Sequence, residues 1–279
     1  MIDQLGRRCA LVMLTAMTLA VVMGLMAWGP VELTASAHQY ADGRVWLGLP
    51  GAANVWVNAA MFAAGAWGWF ATLGSRWPVC LRTPWQLFQA CAMVSAGAAA
   101  LYHTRSLDTL FVLTHVATAS GFVMLTLGLL AERVHVRFGS PQVCLMVLLG
   151  IVLAGGATLM SQGPGGRIDM RPLLLLEIIP VLVISAGALN LPGRATHVFD
   201  WVVVLTLYAL AKLFETGDAF FLEMTGWVSG HTLMHLALSA AVGWMGYCAV
   251  LARAAAIDCA GAVASGEATH RDTSLNTVA

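Results

Sequence analysis

The chain alternates between long apolar runs and short polar connectors. Runs of about 20 apolar residues, the length that crosses a bilayer as a helix, occur near 10–28, 53–74, 85–103, 108–130, 143–160, 172–190, 198–215 and 229–252. The segments outside these runs hold the Arg and most of the Pro residues, and the sequence contains no internal repeat. This pattern predicts an all-α fold, a polytopic transmembrane helix bundle with a seven-helix core and an additional N-terminal helix.

The two ends of the chain differ from its centre. An Arg pair at 7–8 precedes the first apolar run, and Ala35–Ala37 is typical of a small-residue cleavage site. Because that site lies well beyond a run that is long for a signal core, we expect residues 1–37 to stay as a transmembrane helix or signal anchor, with cleavage as the alternative. Residues 38–253 would form the seven-helix domain, and 254–279, polar and without periodicity, a disordered cytoplasmic tail.

The composition agrees with a membrane protein and excludes several other classes. Hydrophobic residues make up 59% of the chain and charged residues only 10%, with a mean hydropathy of +0.79, whereas soluble domains carry about 25% charged residues. Fourteen basic residues balance fourteen acidic ones, so no net charge favours nucleic acid as a partner. The six cysteines form no Cys-x-x-Cys pair, which argues against an iron–sulfur or zinc-ribbon site.

The arginines predict the orientation of a multi-pass protein in the cell membrane. With the N-terminus in the cytoplasm, the inner segments hold nine arginines and the outer segments four, in agreement with the positive-inside rule. The inner set is Arg7, Arg8, Arg76, Arg82, Arg133, Arg137, Arg194, Arg253 and Arg271, and the outer set is Arg44, Arg105, Arg167 and Arg171. Both termini are then cytoplasmic, and the loop with His38 and Asp42 lies outside with most of the intramembrane ionisable residues.

Three histidines at one expected depth indicate a metal site. His231 and His235 share a helix face one turn apart at the start of the last run, and His103 ends the third run. Ionisable side chains in a membrane are costly and commonly functional, and three imidazoles with an open fourth position are a catalytic zinc arrangement. We therefore predict a Zn²⁺ site near the outer face. Interfacial histidines bonded to neighbouring helices, or haem ligation by His103 and one of the pair, are the alternatives.

Other polar and aromatic residues have simpler interpretations. Lys212 and Glu215, three residues apart, are expected to form an ion pair. Glu177 has no partner evident from the sequence, and Asp200 is expected to face the inner interface. Several aromatic residues near the ends of the runs are expected to be interfacial anchors: Trp28, Trp46, Trp85, Tyr102 and Trp227.

The start of the last run strongly resembles a family signature. Ser229–Leu236 (SGHTLMHL) resembles the last-helix motif of the alkaline ceramidase family, part of a wider superfamily of seven-helix membrane hydrolases and receptors. Supporting similarity spans residues 38 to 252. It comprises Tyr40-Ala41-Asp42, Tyr102-His103, Asp169-Met170-Arg171 and Tyr208–Glu215 (YALAKLFE) with Asp218.

The resemblance implies a zinc-dependent amidohydrolase that cleaves a ceramide-like membrane lipid into a fatty acid and a sphingoid-type amine. His103, His231 and His235 would be its zinc ligands. The family carries a serine one turn before the first ligand and an aspartate early in the next helix, and here these positions are Ala99 and Thr114.

Three neighbouring side chains are candidate substitutes for the two lost groups: Ser95, Asp108 and His115. The alternative is a catalytically degenerate lipid receptor or sensor that retains a structural zinc.

Overall fold

A computed structural model of the chain describes residues 2–75, 77–161, 163, 165–193 and 195–251, with side chains from residue 8 onward. The predicted tail, 254–279, lies outside the described residues. The described part is helical, and its strand pairing is limited to isolated bridges. The helices are α1 (Ile2–Trp28), α2 (Ala52–Trp56), α3 (Asn58–Leu73), α4 (Val79–Arg105), α5 (Asp108–Arg133), α6 (Pro141–Met160), α7 (Arg171–Asn190), α8 (Val198–Thr216), α9 (Asp218–Thr225) and α10 (Gly230–Leu251).

Each apolar run of the sequence forms a helix, which confirms the all-α bundle. Among the described residues, five helices are long and apolar enough to cross a membrane, namely α1 from Arg8 onward, α5, α6, α7 and α10. The other three runs form helices that are shorter or more polar. Helix α3 has only 16 residues and follows the short α2. Helix α4 is continuous, but Gln86 and Gln89 interrupt its apolar sequence, and α8 carries three charged side chains.

Helix α4 lies at the centre of the bundle, between α3 and α5. Only two residues connect α4 to α5, and the first of them, Ser106, ends α4 in the left-handed conformation (φ 43°). Such a short link makes the two helices antiparallel neighbours. It therefore brings the last turn of α4, which carries His103, beside the first turn of α5, which begins at Asp108.

The main apolar core occupies the end of the bundle away from His103. It is formed by the starts of α4, α6 and α8 and the ends of α5, α7 and α10. Its largest buried side chains are Trp85, Met124, Trp201 and Met245. We call this half the core end and the opposite half the histidine end. In a bilayer, where the lipid tails are as apolar as these side chains, their close packing stabilises the bundle through van der Waals contacts rather than through removal from water.

The predicted aromatic anchors divide into two groups. Trp28, Trp46 and Trp227 are exposed, as expected of interfacial anchors. The prediction is wrong for Trp85 and Tyr102, which are almost completely buried. Trp85 packs in the core against Trp77, with ring centroids 4.7 Å apart, and the Tyr102 hydroxyl has hydrogen-bond partners inside the protein.

A buried arginine closes the core end. Arg133, 2% exposed, donates to the carbonyls of Ala188 and Leu191 at the end of α7, at 2.9 and 2.6 Å. It also donates to the carbonyl and the hydroxyl of Thr196. Because the last carbonyls of a helix have no partner within the helix, this side chain supplies the missing donors.

Asp200 is also structural, and the expectation that it faces the interface is wrong. Its side chain is buried, accepts from the backbone N–H of His197 at 2.9 Å and receives Trp244 Nε1 at 3.3 Å. The His197 side chain in turn accepts from the backbone N–H of Asp200, which completes a capping box at the start of α8.

Candidate metal centre

The three predicted histidines converge at the histidine end. His103 lies in the last turn of α4, and His231 and His235 lie in the first two turns of α10; their exposed fractions are 9, 8 and 7%. Nε2 of His231 is 3.2 Å from Nε2 of His103 and 3.2 Å from Nε2 of His235. The potential ligand atoms of the three side chains all lie within 4.8 Å of one another.

This spacing fits a small tetrahedral cation. With Zn–N bonds of about 2.0–2.1 Å and tetrahedral angles, two ligand nitrogens are about 3.3 Å apart. The two short separations, each 3.2 Å, are close to that value. Haem fits poorly, because its axial nitrogens must lie on opposite faces of a macrocycle.

Hydrogen bonds among the imidazoles explain the arrangement less well than a cation does. One ring nitrogen carries either a hydrogen or a single in-plane lone pair, so Nε2 of His231 cannot make two good hydrogen bonds to its two neighbours. A bound cation takes a lone pair from each converging Nε2 and therefore accounts better for the arrangement. Nδ1 of His235, the other nitrogen of that ring, is buried without a hydrogen-bond partner among the described residues, and a cation at Nε2 would leave it so.

The backbone around Asp218 fixes the start of α10. One Asp218 carboxylate oxygen accepts from the backbone N–H of His231 at 2.7 Å, and the other accepts from the backbone N–H of Ala41 at 2.8 Å. A side chain on Gly230 would place its Cβ 2.7 Å from the Asp218 Cα and against the Phe214 carbonyl. Glycine at 230 therefore permits the approach that sets the position of His231.

The segment after α1 forms a wall of the metal centre. The Tyr40 ring packs on His103 and His231, with centroids 4.8 and 4.3 Å away. Burial, together with the hydrogen bond to Tyr102, holds the pKa of Tyr40 well above its usual range. From the sequence, Tyr40 is evident only as part of a motif, because ring contacts between distant segments leave no local signal.

An ion pair anchors this segment. Arg44 makes two hydrogen bonds to the buried Asp42 carboxylate, at 2.8 and 2.7 Å, and also donates to the carbonyl of Trp227. The hydrogen bonds from Arg44 hold the pKa of Asp42 below its ordinary value, although burial opposes the shift. The wall is thus attached to the turn between α9 and α10.

A chain of hydrogen bonds leads from this wall towards solvent. Tyr40 donates its hydroxyl proton to the Tyr102 oxygen at 3.2 Å, and the Tyr102 hydroxyl lies 2.8 Å from Nδ1 of His38. Nε2 of His38 is 2.8 Å from a carboxylate oxygen of Asp108, whose side chain is 58% exposed. The ring of Phe111 packs beside His38 and Tyr102. His38 was predicted to lie on the outer side, but without a role.

The three candidate substitutes have partners other than the metal-site histidines in the part of the chain that the structure describes. Asp108 pairs with His38. His115 Nδ1 lies 2.8 Å from Glu177 Oε1, and Ser95 Oγ lies 2.8 Å from Thr118 Oγ1. Ser95 precedes His103 by two helical turns, about 12 Å along α4.

Ala99 and Thr114 occupy the positions where the resembled family carries its serine and aspartate. Their side chains form no hydrogen bond to the three histidines. Ala99 is 3% exposed and lies one turn before His103. Thr114 Oγ1 donates to the carbonyl of Leu110 in its own helix, at 3.0 Å. Both side chains are therefore accounted for without a hydrogen bond to the metal-site histidines.

Two further carboxylates on the long helices have partners. The predicted ion pair of Lys212 and Glu215 is confirmed at 2.7 Å. Glu177, which had no evident partner, pairs with His115 on α5. That pair joins residues 62 positions apart, so only helix packing could reveal it.

The chain matches no protein-family model and no curated protein sequence. The resemblance to the alkaline ceramidases consequently depends on the motifs quoted above. The convergence of His103, His231 and His235 is an independent observation, because it concerns the distances between their side chains.

Proposed function

We propose that the protein is a zinc-dependent membrane amidohydrolase that cleaves the amide bond of ceramide-like lipids. The observation that carries this proposal is the pair of 3.2 Å separations between the Nε2 atoms of His103, His231 and His235. Three neutral imidazoles from two helices leave one position of a tetrahedral ion open, as catalytic zinc sites do. The motifs around these histidines support the substrate class.

The site chemistry divides between the metal and the chain. A bound Zn²⁺ supplies a Lewis acid that polarises a carbonyl and lowers the pKa of a coordinated water to about 7. The three histidines hold the ion, and Asp218 fixes the helix start that carries two of them. The Tyr40 ring covers His103 and His231, limiting the access of water from that side.

The depth of the site suits a lipid amide. His103 and His231 lie at helix ends, and the amide of a ceramide lies between its polar head and its acyl chains. A substrate held in the bilayer would reach that depth with its chains still in the apolar region. From the arginine distribution we further propose that the histidine end faces outward and that both termini are cytoplasmic.

A second candidate is a lipid receptor or sensor with a structural zinc. It is favoured by one observation: the side chains of Ala99 and Thr114 offer the site no hydrogen bond. In amide hydrolysis, removal of one positioned oxyanion donor typically slows the reaction by about a hundred- to a thousand-fold.

Zinc content and amide hydrolysis, measured on the same purified protein, test both candidates. We expect about one zinc per chain, as in a single three-histidine site, and release of a labelled fatty acid from ceramide in mixed micelles. Zinc without hydrolysis would favour the receptor, and a protein that binds no zinc would contradict both. A His231→Ala variant, lacking one ligand, is the control for hydrolysis that does not depend on the site.

Restoring the family residues sharpens the same test. Ala99→Ser and Thr114→Asp should each raise turnover by roughly ten- to a hundred-fold, because each restores a polar group that the resembled family carries at that position. Zinc content should stay the same. A parent protein that already turns over at about 10 per second, or variants that gain nothing, would show that these two positions do not limit the reaction.

A further inference from the structure

Two buried polar atoms at the histidine end have no hydrogen-bond partner within the described part of the protein. They are Nδ1 of His235 on α10 and Oδ1 of Asn58 at the start of α3, and the two residues are 7 and 2% exposed. The other such atoms among the described residues belong to Gln86, Gln89 and Arg133, towards the core end. Since a buried donor or acceptor left unpaired is costly, both atoms at the histidine end require a partner.

The chemistry of these two atoms is complementary. The Asn58 amide donates from Nδ2 to the carbonyl of Asn54 at 2.7 Å, which orients the side chain with its oxygen as the free end. A cation bound to Nε2 of His235 takes the lone pair there, so the hydrogen of the neutral ring must be on Nδ1. His235 then offers a donor, and Asn58 offers an acceptor.

Helix α10 runs parallel to α2 and α3 and packs against them. At the histidine end, Thr232 Oγ1 donates to Asn54 Oδ1 at 3.2 Å. Further along, a Cβ on Gly246 would lie 2.8 Å from the Cα of Gly68. The members of each pair are 178 positions apart in the chain. The helices therefore keep one register between these two contacts.

This register places Asn58 beside His235. It pairs position 58 with position 236, and a helix rises only about 1.5 Å per residue, so the two side chains start from nearly the same depth. The neighbouring polar side chains of α10 already have partners: Thr232 donates to Asn54, and Ser239 donates to the carbonyl of His235 at 2.7 Å. Asn58 is therefore the acceptor that helix packing offers to Nδ1.

Helix α4 contributes no polar side chain at this depth. It ends at the histidine end, where α3 begins, and a Cβ on Gly68 would meet the side chain of Gln89. Ten residues nearer the histidine end on each helix are Asn58 and Ala99. Residues 96–100 are all alanine or glycine, and a methyl group cannot accept a hydrogen bond. The amide of Asn58 thus has no competitor from α4.

We propose that Asn58 positions His235 for metal binding, with Oδ1 accepting the hydrogen bond of Nδ1–H through one bound water or, after a small rotation of the amide, directly. The inference rests on the zinc site of the proposed function and not on the hydrolysis. Histidine ligands almost always donate their second nitrogen to such a partner, which fixes the orientation of the ring. Asn58 acts through His235 and is a positioning residue.

Zinc affinity, measured by competition with a chelator in detergent, tests this role. Loss of such a partner typically weakens metal binding by about ten- to a hundred-fold, and we expect this loss in Asn58→Leu. Asn58→Asp should bind zinc as tightly as the parent, because it keeps an acceptor oxygen although it loses the donor to Asn54. If Asn58 served only the bond to Asn54, Asn58→Asp would lose affinity too, and that outcome would overturn the proposal.

Nitrogen-15 NMR of the zinc-loaded protein gives a second measurement, which does not require Asn58→Leu to fold. The parent should show three imidazoles with zinc on Nε2 and hydrogen on Nδ1. In Asn58→Asp, one of the three Nδ1–H signals should move downfield, because a carboxylate is the stronger acceptor. The other two should stay in place. A spectrum in which none of the three moves, or all move alike, would contradict the role of Asn58.

Asn190→Leu is the matched control for the affinity measurement. Asn190 makes the same local bond, from Nδ2 to the carbonyl of Ala186 four residues earlier at 2.9 Å, but it is exposed at the core end. Its removal should leave zinc affinity unchanged. Parent-like affinity in Asn58→Leu would overturn the role of Asn58 alone, whereas a parent protein that binds no zinc would overturn the proposed function as well.

Discussion

The two ends of the bundle use buried polar side chains in opposite ways. At the core end, Arg133 donates to carbonyls at the end of α7 and to Thr196, and Asp200 caps α8. At the histidine end, the side-chain nitrogens of His103, His231 and His235 point at one another. The charged groups of the core end complete the hydrogen bonding of helix termini, whereas the imidazoles of the histidine end have no such role.

The difference shows that the burial of a polar side chain does not by itself indicate a functional site. A buried polar or charged group is costly unless it is hydrogen-bonded or paired, and at the core end that requirement is met by backbone groups. At the histidine end three imidazole nitrogens face one another, and the proposed cation would satisfy them together. The informative feature is therefore where the lone pairs and hydrogens point, which distinguishes a structural polar group from one that is ready for a ligand.

The largest expected effect is on metal binding at the histidine end. His103→Ala, His231→Ala or His235→Ala should each reduce zinc content from about one per chain to nearly none, because two imidazoles hold the ion much less tightly than three. Thermal stability should fall as well, since zinc binds only the folded state. Elemental analysis and a melting curve in detergent measure the two effects.

The control for these variants is His135→Ala, since His135 lies at the core end and is exposed. His270→Ala is a second control, at a position outside the described residues. If zinc content were the same in all five variants, the three-histidine site would be wrong, and the contrast between the two ends would fail with it.

The core end should respond in the opposite way, through stability and not through zinc. Arg133→Met removes the donors of four hydrogen bonds and leaves buried carbonyls without partners, which should cost roughly 3 kcal/mol of folding free energy. Zinc per folded chain should not change. Arg137→Met, at an exposed arginine nearby, should be close to neutral in the same denaturation assay. A loss of zinc per folded chain in Arg133→Met would contradict the division between a structural core end and a metal-binding histidine end.

The pair of His115 and Glu177 should behave like the core end, although it lies nearer the histidines. Replacing either by Leu leaves the other without its 2.8 Å partner, so each single variant should be less stable by about 1–3 kcal/mol. The double variant should lose less than the sum, which a double-mutant cycle measures. Fully additive losses of stability would show that the two side chains act separately. A drop in zinc content would show that they contribute to metal binding.

The smallest expected effect concerns the wall of the site and its pH dependence. Because the pKa of Asp42 is lowered in the folded protein, its pairing with Arg44 stabilises the loop above the ordinary value of 3.8 and is lost as pH falls below it. Hydrogen exchange of residues 39–50 should therefore be faster in Asp42→Asn than in the parent at pH 7. The difference should shrink as pH falls below 3.8. Residues 165–170, in another loop, should exchange equally in both proteins, and a constant difference at every pH would contradict the assignment.

Much of the histidine end was predictable because its signals are local. The spacing of His231 and His235 places both on one helix face, and the end of an apolar run places His103 at a similar depth. The partners of His38, Tyr40 and Glu177 were not predictable, since each contact joins segments far apart in the chain. Ser95 and His115 are close to the site in sequence, but their side chains meet Thr118 and Glu177 instead.

The sequence by itself determined the helical class, the apolar runs that form helices and the positions of the three histidines, because each follows from the pattern along a single segment. Only the tertiary structure decided which polar groups are satisfied. The partners of Arg133 and the convergence of the imidazoles both depend on how separate helices pack. The physical reason is that ligation and hydrogen bonding between side chains are short-ranged and directional. An apolar segment, in contrast, forms a helix through its own backbone hydrogen bonds, and its hydrophobicity is a property of that segment alone.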